Sequence, residues 1–335
     1  MEAPEISILM PVKNAEPFLW QCLDSIIHQS YGNWELLAVN DHSDDDSFEI
    51  LENYSAKDKR IQVLQNTGKG IIPALRLAYE KSKGKYITRM DADDICKQNK
   101  LGVLLNNLLK YGRGHIAIGQ VEYFSENELG EGYKKYAEWL NSLTAKGNNF
   151  EEIFKECVIP SPCWMLHRAD LEKCGAFSSD QYPEDYDLCF RMYAAGLKCI
   201  PCNQTLHLWR DHPERSSRND PNYLDNHFSE LKIKYFLKSE NKSDRALVLW
   251  GAGKRGKKLA ILLNAAHIDF HWICNNPNKI GNEIYGQVIH DESTFPKFQS
   301  SQVIVAVANS IAQENIRAKL QYSGMKNMKD YFFFC

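Results

Sequence analysis

The chain has 335 residues, 44% of them hydrophobic and 25% charged, the balance of a folded protein with about two domains. A net charge of −3 supplies no basic field for nucleic acid, and no apolar run approaches the ~20 residues of a membrane span. The start, Met1-Glu2-Ala3-Pro4-Glu5, lacks the basic region of a signal peptide, so the expectation is a cytoplasmic protein whose ten scattered cysteines stay reduced.

From the N-terminus, the pattern predicts alternating strands and helices, as in a mainly parallel α/β sheet. Residues 6–12 read as an apolar strand. Residues 17–29 read as a helix with Phe18, Leu19, Cys22, Leu23, Ile26 and Ile27 on one face. Strands follow at 35–39, 60–64 and 85–90, with helices at 46–54 and 71–82 between them. A helix over 97–110 carries the stripe Leu101, Leu104, Leu105, Leu108 and Leu109, and 115–124 reads as one further strand.

The strand at 85–90 runs into Arg89-Met90-Asp91-Ala92-Asp93-Asp94. Three carboxylates at a strand end are costly unless something positive sits among them, and a divalent cation carrying a diphosphate fits. The alternative is a solvated acidic turn capping the next helix. Two more polar clusters close the first strands: Pro11-Val12-Lys13-Asn14 and Asn40-Asp41-His42-Ser43-Asp44. Ligands of open α/β sheets bind beyond the carboxyl ends of strands, so the three clusters imply one shared cleft. There Asp41 could accept hydrogen bonds from a base or ribose, or simply cap the following helix.

Residues 125–149 are polar and irregular, as a long functional insertion would be. Glu184-Asp185 opens a helix with Leu188, Met192 and Ala195 as apolar positions, and 197–208 is strand-like. Cys199, Cys202, His207 and His212 have zinc-like spacing, although residues three apart on a strand face opposite sides. Residues 211–222 read as a loop and 223–237 as a helix with Leu224, Phe228, Leu231, Ile233, Tyr235 and Phe236. Residues 238–244 are a polar linker. A second α/β unit begins at 245, where strand 246–250 leads into Gly251-Ala252-Gly253-Lys254-Arg255-Gly256 and a helix. Gly251, Gly253 and Gly256 could cradle a phosphate. However, the strand at 269–274 ends in Asn275-Asn276, without the acid that a dinucleotide ribose requires, so a packing role for the glycines competes. Strand 302–307 and helix 311–322 complete the unit. Lys232, Lys234, Lys238, Lys242, Arg245, Lys254, Arg255, Lys257 and Lys258 gather near the junction, as a solvated face or as a peripheral contact with anionic lipid.

Five pieces in order, Pro11-Val12-Lys13-Asn14, Asp41, Gly84-Lys85-Tyr86-Ile87 into Asp91-Ala92-Asp93-Asp94, Glu184-Asp185-Tyr186-Asp187-Leu188 with Arg191, and Trp209-Arg210-Asp211-His212, resemble family 2 glycosyltransferases of the GT-A type. The resemblance covers residues 5–220. It implies a GT-A domain (1–222), a helix and linker (223–244) and a smaller Rossmann-like accessory domain (245–335). It also implies an inverting enzyme using a nucleotide-diphosphate-sugar, with UDP-sugars leading, and a divalent metal, Mg or Mn.

By position, Pro11, Val12 and Asn14 border the nucleotide, Asp41 contacts the base, and Arg89, Asp91 and Ala92 lie along the donor near the ribose. Asp93 and His212 hold the metal, Arg210 is on the diphosphate side, and Asp185 is the general base. The implied acceptor is a glycan or lipid-linked saccharide of an unfinished cell-surface polymer. Residues 124–162 with Glu184, Trp164 and Trp139 are candidates to meet it. Lys13 and Arg76 depart from the family's usual aromatic residue and asparagine, and the Gln-x-x-Arg-Trp segment of processive synthases is absent after Asp185, which implies transfer of one sugar at a time. The competing functions are an NAD-dependent oxidoreductase using Gly251 to Gly256 and a noncatalytic nucleotide-sugar sensor. Nothing in the sequence assigns an oligomeric state.

Overall fold

The structure, a computed structural model, describes residues 3–125, 129–223, 225–298 and 300–335; Met1, Glu2 and the expected helix-stripe residue Leu224 lie outside the described residues. The chain divides into two units, Met1–Phe150 with Val158–Asp220 and Glu151–Cys157 with Pro221–Cys335.

In the first unit β1 (Ile6–Val12), α1 (Glu16–Ile27), β2 (Trp34–Asn40), α2 (Ser47–Lys57), β3 (Ile61–Gln65), α3 (Ile71–Lys81) and β4 (Tyr86–Arg89) alternate as expected. They are followed by β5 (Ile95–Cys96), α4 (Lys100–Tyr111), β6 (His115–Ile118), β7 (Gln120–Phe124), α5 (Glu131–Lys146), β8 (Trp164–His167), α6 (Arg168–Lys173), α7 (Glu184–Ala194), β9 (Lys198–Ile200), β10 (Thr205–Arg210) and the short α8 (Ser216–Asn219). The described strands form a seven-stranded sheet ordered β3-β2-β1-β4-β8-β6-β9, in which β3, β2, β1 and β4 are parallel and β8 runs against both neighbours. A smaller sheet is ordered β5-β10-β7. β2 is buried along its whole length, which explains its apolar stretch Leu36-Leu37-Ala38-Val39: both faces of a parallel strand are covered by helices.

One clamp fixes where β4 starts. The buried carboxylate of Glu35 accepts hydrogen bonds from Ser7 Oγ (2.6 Å), Gln62 Nε2 (3.0 Å) and the backbone N–H groups of Lys83 and Gly84. A Cβ on Gly84 would lie 2.5 Å from Ser7 N, so only glycine lets the turn approach β1 this closely.

Four expectations are corrected. The single strand over 115–124 is two strands in different sheets: Gly119 N donates to Cys163 O and Gln120 N to Gln204 O, so the ladder changes partner there. The irregular stretch 125–149 contains α5, whose face of Ala137, Leu140, Leu143 and Thr144 is buried. The strand-like 197–208 is divided between β9 and β10, and the loop at 211–222 contains α8.

In the second unit α9 (Asp225–Tyr235) passes into a π-helical turn at Phe236–Glu240, so the expected linker begins in ordered backbone. Then come β11 (Leu247–Trp250), α10 (Lys254–Ala265), β12 (His271–Cys274), β13 (Glu283–Ile284), β14 (Gln287–Asp291), β15 (Gln302–Val305), α11 (Ser310–Tyr322) and β16 (Tyr331–Phe333). The described strands form a six-stranded sheet ordered β13-β14-β12-β11-β15-β16. Phe154 belongs to this unit and packs on Phe236, Phe332 and Phe334, so the stretch 124–162 is divided between the two units. Lys232 is buried and donates to the Lys155 carbonyl, while Arg245 is held by Asp330 (2.9 Å) and the carbonyls of Ser300 and Ser301. Neither cation is available to a lipid headgroup.

Candidate active site

Parallel strands deliver the first components to one edge of the sheet. Asn14 follows β1, Asp41 follows β2, and Arg89 ends β4 with Met90 to Asp94 after it, the three strands being neighbours in the order β2-β1-β4. Pro11 and Val12 are the last residues of β1. Asn14 has φ +47°, a left-handed conformation that asparagine tolerates better than most residues. Its side-chain oxygen accepts from Asp44 N (2.9 Å), and its own N–H donates to Ser43 Oγ (3.1 Å), tying the first strand end to the second. The carboxylate of Asp41 is buried and accepts from Asn66 Nδ2 (2.6 Å) and Gly70 N (2.9 Å). It therefore shapes the turn before α3 and does not cap α2.

The acidic run is divided in direction. Asp91 Oδ1 pairs with Arg89 at 3.1 Å, and the same guanidinium reaches Glu184 Oε1 at 3.0 Å. Arg89 is 5% exposed. It joins the run after β4 to the first turn of α7, 95 residues later. Burial raises the pKa of Asp91 by more than Arg89 lowers it. Asp93 Oδ2 lies 2.9 Å from His212 Nε2. Burial pushes this carboxyl up, but the hydrogen bond from His212 and the charges of Arg215 and His212 hold it below the usual carboxylate range.

Asp94 turns inward. It is 1% exposed and accepts from His207 Nε2 and Arg210 N, both at 2.8 Å. Burial, then the charges of Asp93 and Asp91, raise it well above its ordinary value. The zinc alternative is corrected here. His207 is committed to Asp94 on one ring nitrogen and faces Lys100 Nζ (3.3 Å) on the other, and no group of three His, Cys, Asp or Glu side chains converges to hold a metal among the described residues.

Arg210 lies behind the run. Its Nε donates to the Asp93 carbonyl (2.7 Å), another of its nitrogens meets Gln21 Oε1, and its guanidinium sits 4.6 Å from the Phe18 ring centre and 4.5 Å from that of Phe124. Arg215 lies over the stacked rings of Trp209 and Tyr123, 5.4 and 5.8 Å from their centres. Its positive charge lowers Asp91, Asp93 and Asp94 alike.

Glu184 and Asp185 occupy the first turn of α7. A small cavity there is lined by Arg89, Ser161, Trp164, Phe177, Glu184 and Asp185. The pKa of Asp185 is pushed up to about 7, by burial first and by the Glu184 charge second, against Arg89 and the hydrogen bond from Tyr186 N (2.7 Å). The helix N-terminus does not prevent this rise. Ser161 Oγ is buried and has no hydrogen-bond partner among the described residues. Trp164, a buried residue of β8, lies on the cavity wall, whereas Trp139 on α5 packs beside Tyr136 at the core margin. Tyr182 connects the two ends of the arrangement: its hydroxyl lies 3.3 Å from where a Cβ of Gly70 would be, and both Glu184 and Asp41 raise its pKa after burial. Lys100 and Tyr182 escaped the sequence reading, and His207 entered it only as a candidate zinc ligand. A lysine one turn before Leu104, on the apolar face of α4, is the one signal that could have flagged the first of them.

The glycine turn of the second unit is internally satisfied. A Cβ on Gly256 would fall 2.0 Å from Gly251 O, Trp272 Nε1 donates to that oxygen (2.9 Å), and Lys279 Nζ donates to Ala252 O (2.6 Å). Close backbone packing thus accounts for Gly251 and Gly256, whereas a Cβ on Gly253 would meet nothing within 4 Å.

The sequence profile described as "Glycosyl transferase family 2" matches residues 7–175. Glycosyltransferase GlyA of Streptococcus pneumoniae serotype 4 is 31% identical over 214 residues, covering 62% of this chain and 30% of that protein. The chain spans less than half the length of the first curated relatives that it matches. S. aureus TarS 1–349, solved in complex with UDP-GlcNAc, superposes with a TM-score of 0.55 at 14% identity, covering 78% of this chain and 72% of that one. Mannosyltransferase PcManGT from Pyrobaculum calidifontis, in complex with GDP-Man and Mn2+, gives 0.52 at 16% identity, covering 72% and 66%. These likenesses show the GT-A fold. Among the described residues no helix is long and apolar enough to cross a membrane.

Proposed function

The chain belongs to glycosyl transferase family 2, and on that premise we propose that it moves one sugar from a nucleotide-diphosphate-sugar, a UDP-sugar first, to a hydroxyl of a glycan or lipid-linked saccharide. The observation that carries this reading is the Arg89 bridge, which joins Asp91, two residues from Asp93, to Glu184, next to Asp185. A cation-binding pair and a basic carboxylate thus belong to one arrangement. The donor complexes of TarS and PcManGT support a nucleotide-sugar.

Asp93 and His212 fit a divalent cation, Mg or Mn. They present a depressed carboxylate and an imidazole 2.9 Å apart, with side chains 26% and 16% exposed, and oxygen and imidazole nitrogen are ligands such ions accept. When bound, the ion supplies neutralisation of the charge on the departing diphosphate. Pro11, Val12, Asn14 and Asp41 border the nucleotide, and Asp91 and Ala92 lie along the ribose side. Arg210 holds the Asp93 backbone from behind.

Asp185 removes the proton from the acceptor hydroxyl as its oxygen bonds to the anomeric carbon and the bond to the diphosphate breaks, a single displacement with inversion. A base with a pKa near 7 is matched to work at neutral pH. Ser161 Oγ offers a hydrogen bond beside it, with Trp164 on the same wall and Glu184 holding Arg89 in place. The part of 124–162 that belongs to the first unit, Trp139 included, contributes to acceptor choice.

The test is a donor panel read by nucleoside diphosphate release with and without Mg2+ or Mn2+. Metal-stimulated release supports the proposal. Donor binding without release, with any acceptor tried, favours the sensor.

A further inference from the structure

Three buried ionisable side chains form a chain beneath the donor site. Lys100 is 2% exposed, His207 0% and Asp94 1%. Lys100 Nζ donates to the Pro162 carbonyl (2.6 Å) and lies 3.3 Å from His207 Nδ1, and His207 Nε2 lies 2.8 Å from Asp94 Oδ2. Lys100 is also the first residue of α4, where the helix dipole disfavours a cation. A lysine buried at a helix N-terminus is strongly disfavoured unless specific partners offset it.

Those partners fix the proton positions. An ammonium group only donates, so His207 Nδ1 is the acceptor and Nε2 carries the hydrogen given to Asp94. The second oxygen of Asp94 accepts from Arg210 N at 2.8 Å. Asp94 follows Asp93 directly, and Arg210 stands two residues before His212. The chain therefore binds together, from beneath, the two backbone segments that carry Asp93 and His212. At its other end Pro162 adjoins Ser161 on the wall of the Asp185 cavity.

We propose that Lys100, His207 and Asp94 are positioning residues, a buried relay that sets the Asp93–His212 spacing and hence the affinity of the donor site for its divalent cation. The inference rests on the reading that Asp93 and His212 hold that cation. Neighbours that orient metal ligands are commonly worth ten- to a hundredfold in metal affinity.

The test uses the full chain and Mn2+ alone, with free Mn2+ followed by electron paramagnetic resonance and folding checked by circular dichroism. Wild type binds Mn2+ and Asp93→Ala does not. Lys100→Met and His207→Leu weaken binding about tenfold or more. His207→Gln stays within about threefold, because an amide offers one acceptor to Lys100 and one donor to Asp94. If Lys100→Met fails to fold, the Gln and Leu variants at 207 decide. Wild-type affinity in folded His207→Leu, or equal loss in the Gln and Leu variants, overturns the relay and leaves the metal assignment standing. Equal Mn2+ binding by wild type and Asp93→Ala overturns both.

Discussion

Replacing Asp185 by Asn should make the protein more stable, and increasingly so as pH rises. In the folded state the carboxyl has a pKa of about 7, raised by burial and by Glu184; in the unfolded chain it is about 3.9. The folded state thus holds the proton more tightly, and ionisation works against folding. Stability from this group is fully present below pH ~4 and is lost as pH rises through about 7. With 1.36 kcal/mol per pH unit, the loss is about 1.5 kcal/mol at pH 5 and about 4 kcal/mol at pH 8. Asparagine keeps an oxygen to accept the Tyr186 N–H and carries no charge. Urea unfolding of both proteins at pH 5 and pH 8 should show the advantage of Asp185→Asn growing by about 2.5 kcal/mol between the two. An advantage that is the same at both pH values, or reversed in sign, would refute the assignment of a desolvated, proton-retaining carboxyl.

Glu184→Gln removes the second cause of that high pKa and releases Arg89 from its ion pair, both of which favour ionised Asp185. The acid limb of turnover should then move from near pH 7 to lower pH by roughly one to two units in a pH–rate profile. Gly84→Ala drives a Cβ to 2.5 Å from Ser7 N and should cost about 1–3 kcal/mol in chemical denaturation, whereas Lys83→Ala, which keeps its backbone N–H to Glu35, should cost far less. Isothermal titration should show binding of UDP and none of NAD, since the strand after the Gly251–Gly256 turn ends in Asn275-Asn276 with no acid for a dinucleotide ribose; tight NAD binding without UDP binding would reinstate the oxidoreductase.

The early strands and helices were legible because burial on both faces gives parallel strands mostly apolar runs, such as Ile8-Leu9-Met10 in β1 and Leu36 to Val39 in β2. The strand ends bearing Asn14, Asp41 and Asp91 to Asp93 could be placed on one edge for the same reason: parallel order puts every carboxyl end on the same side. Long-range pairing was not legible. Nothing local marks Arg89 as the partner of Glu184, or Lys100 and Asp94 as the partners of His207, because those contacts join segments 95 to 113 residues apart. Nor could spacing tell that Asp94 points inward while Asp93 faces His212. For Asp185, the helix N-terminus and Glu184 pull in opposite directions, and burial, which sequence does not report, sets the outcome. The split at Gly119 was hidden because 115–124 is apolar enough to read as one strand, although its halves pair in different sheets. The helix α5 was missed because its polar face dominates the composition of 131–146.

The central claim is that Asp93 and Asp185 serve one reaction in separable roles. The most direct measurement is nucleoside diphosphate release in Mn2+ from a responsive donor, paired with donor affinity, for wild type, Asp93→Ala and Asp185→Asn. The account predicts metal-stimulated release by wild type and none by Asp93→Ala. Asp185→Asn should bind donor as wild type does, without transfer. Undiminished transfer by Asp185→Asn, or metal stimulation that survives Asp93→Ala, would contradict it.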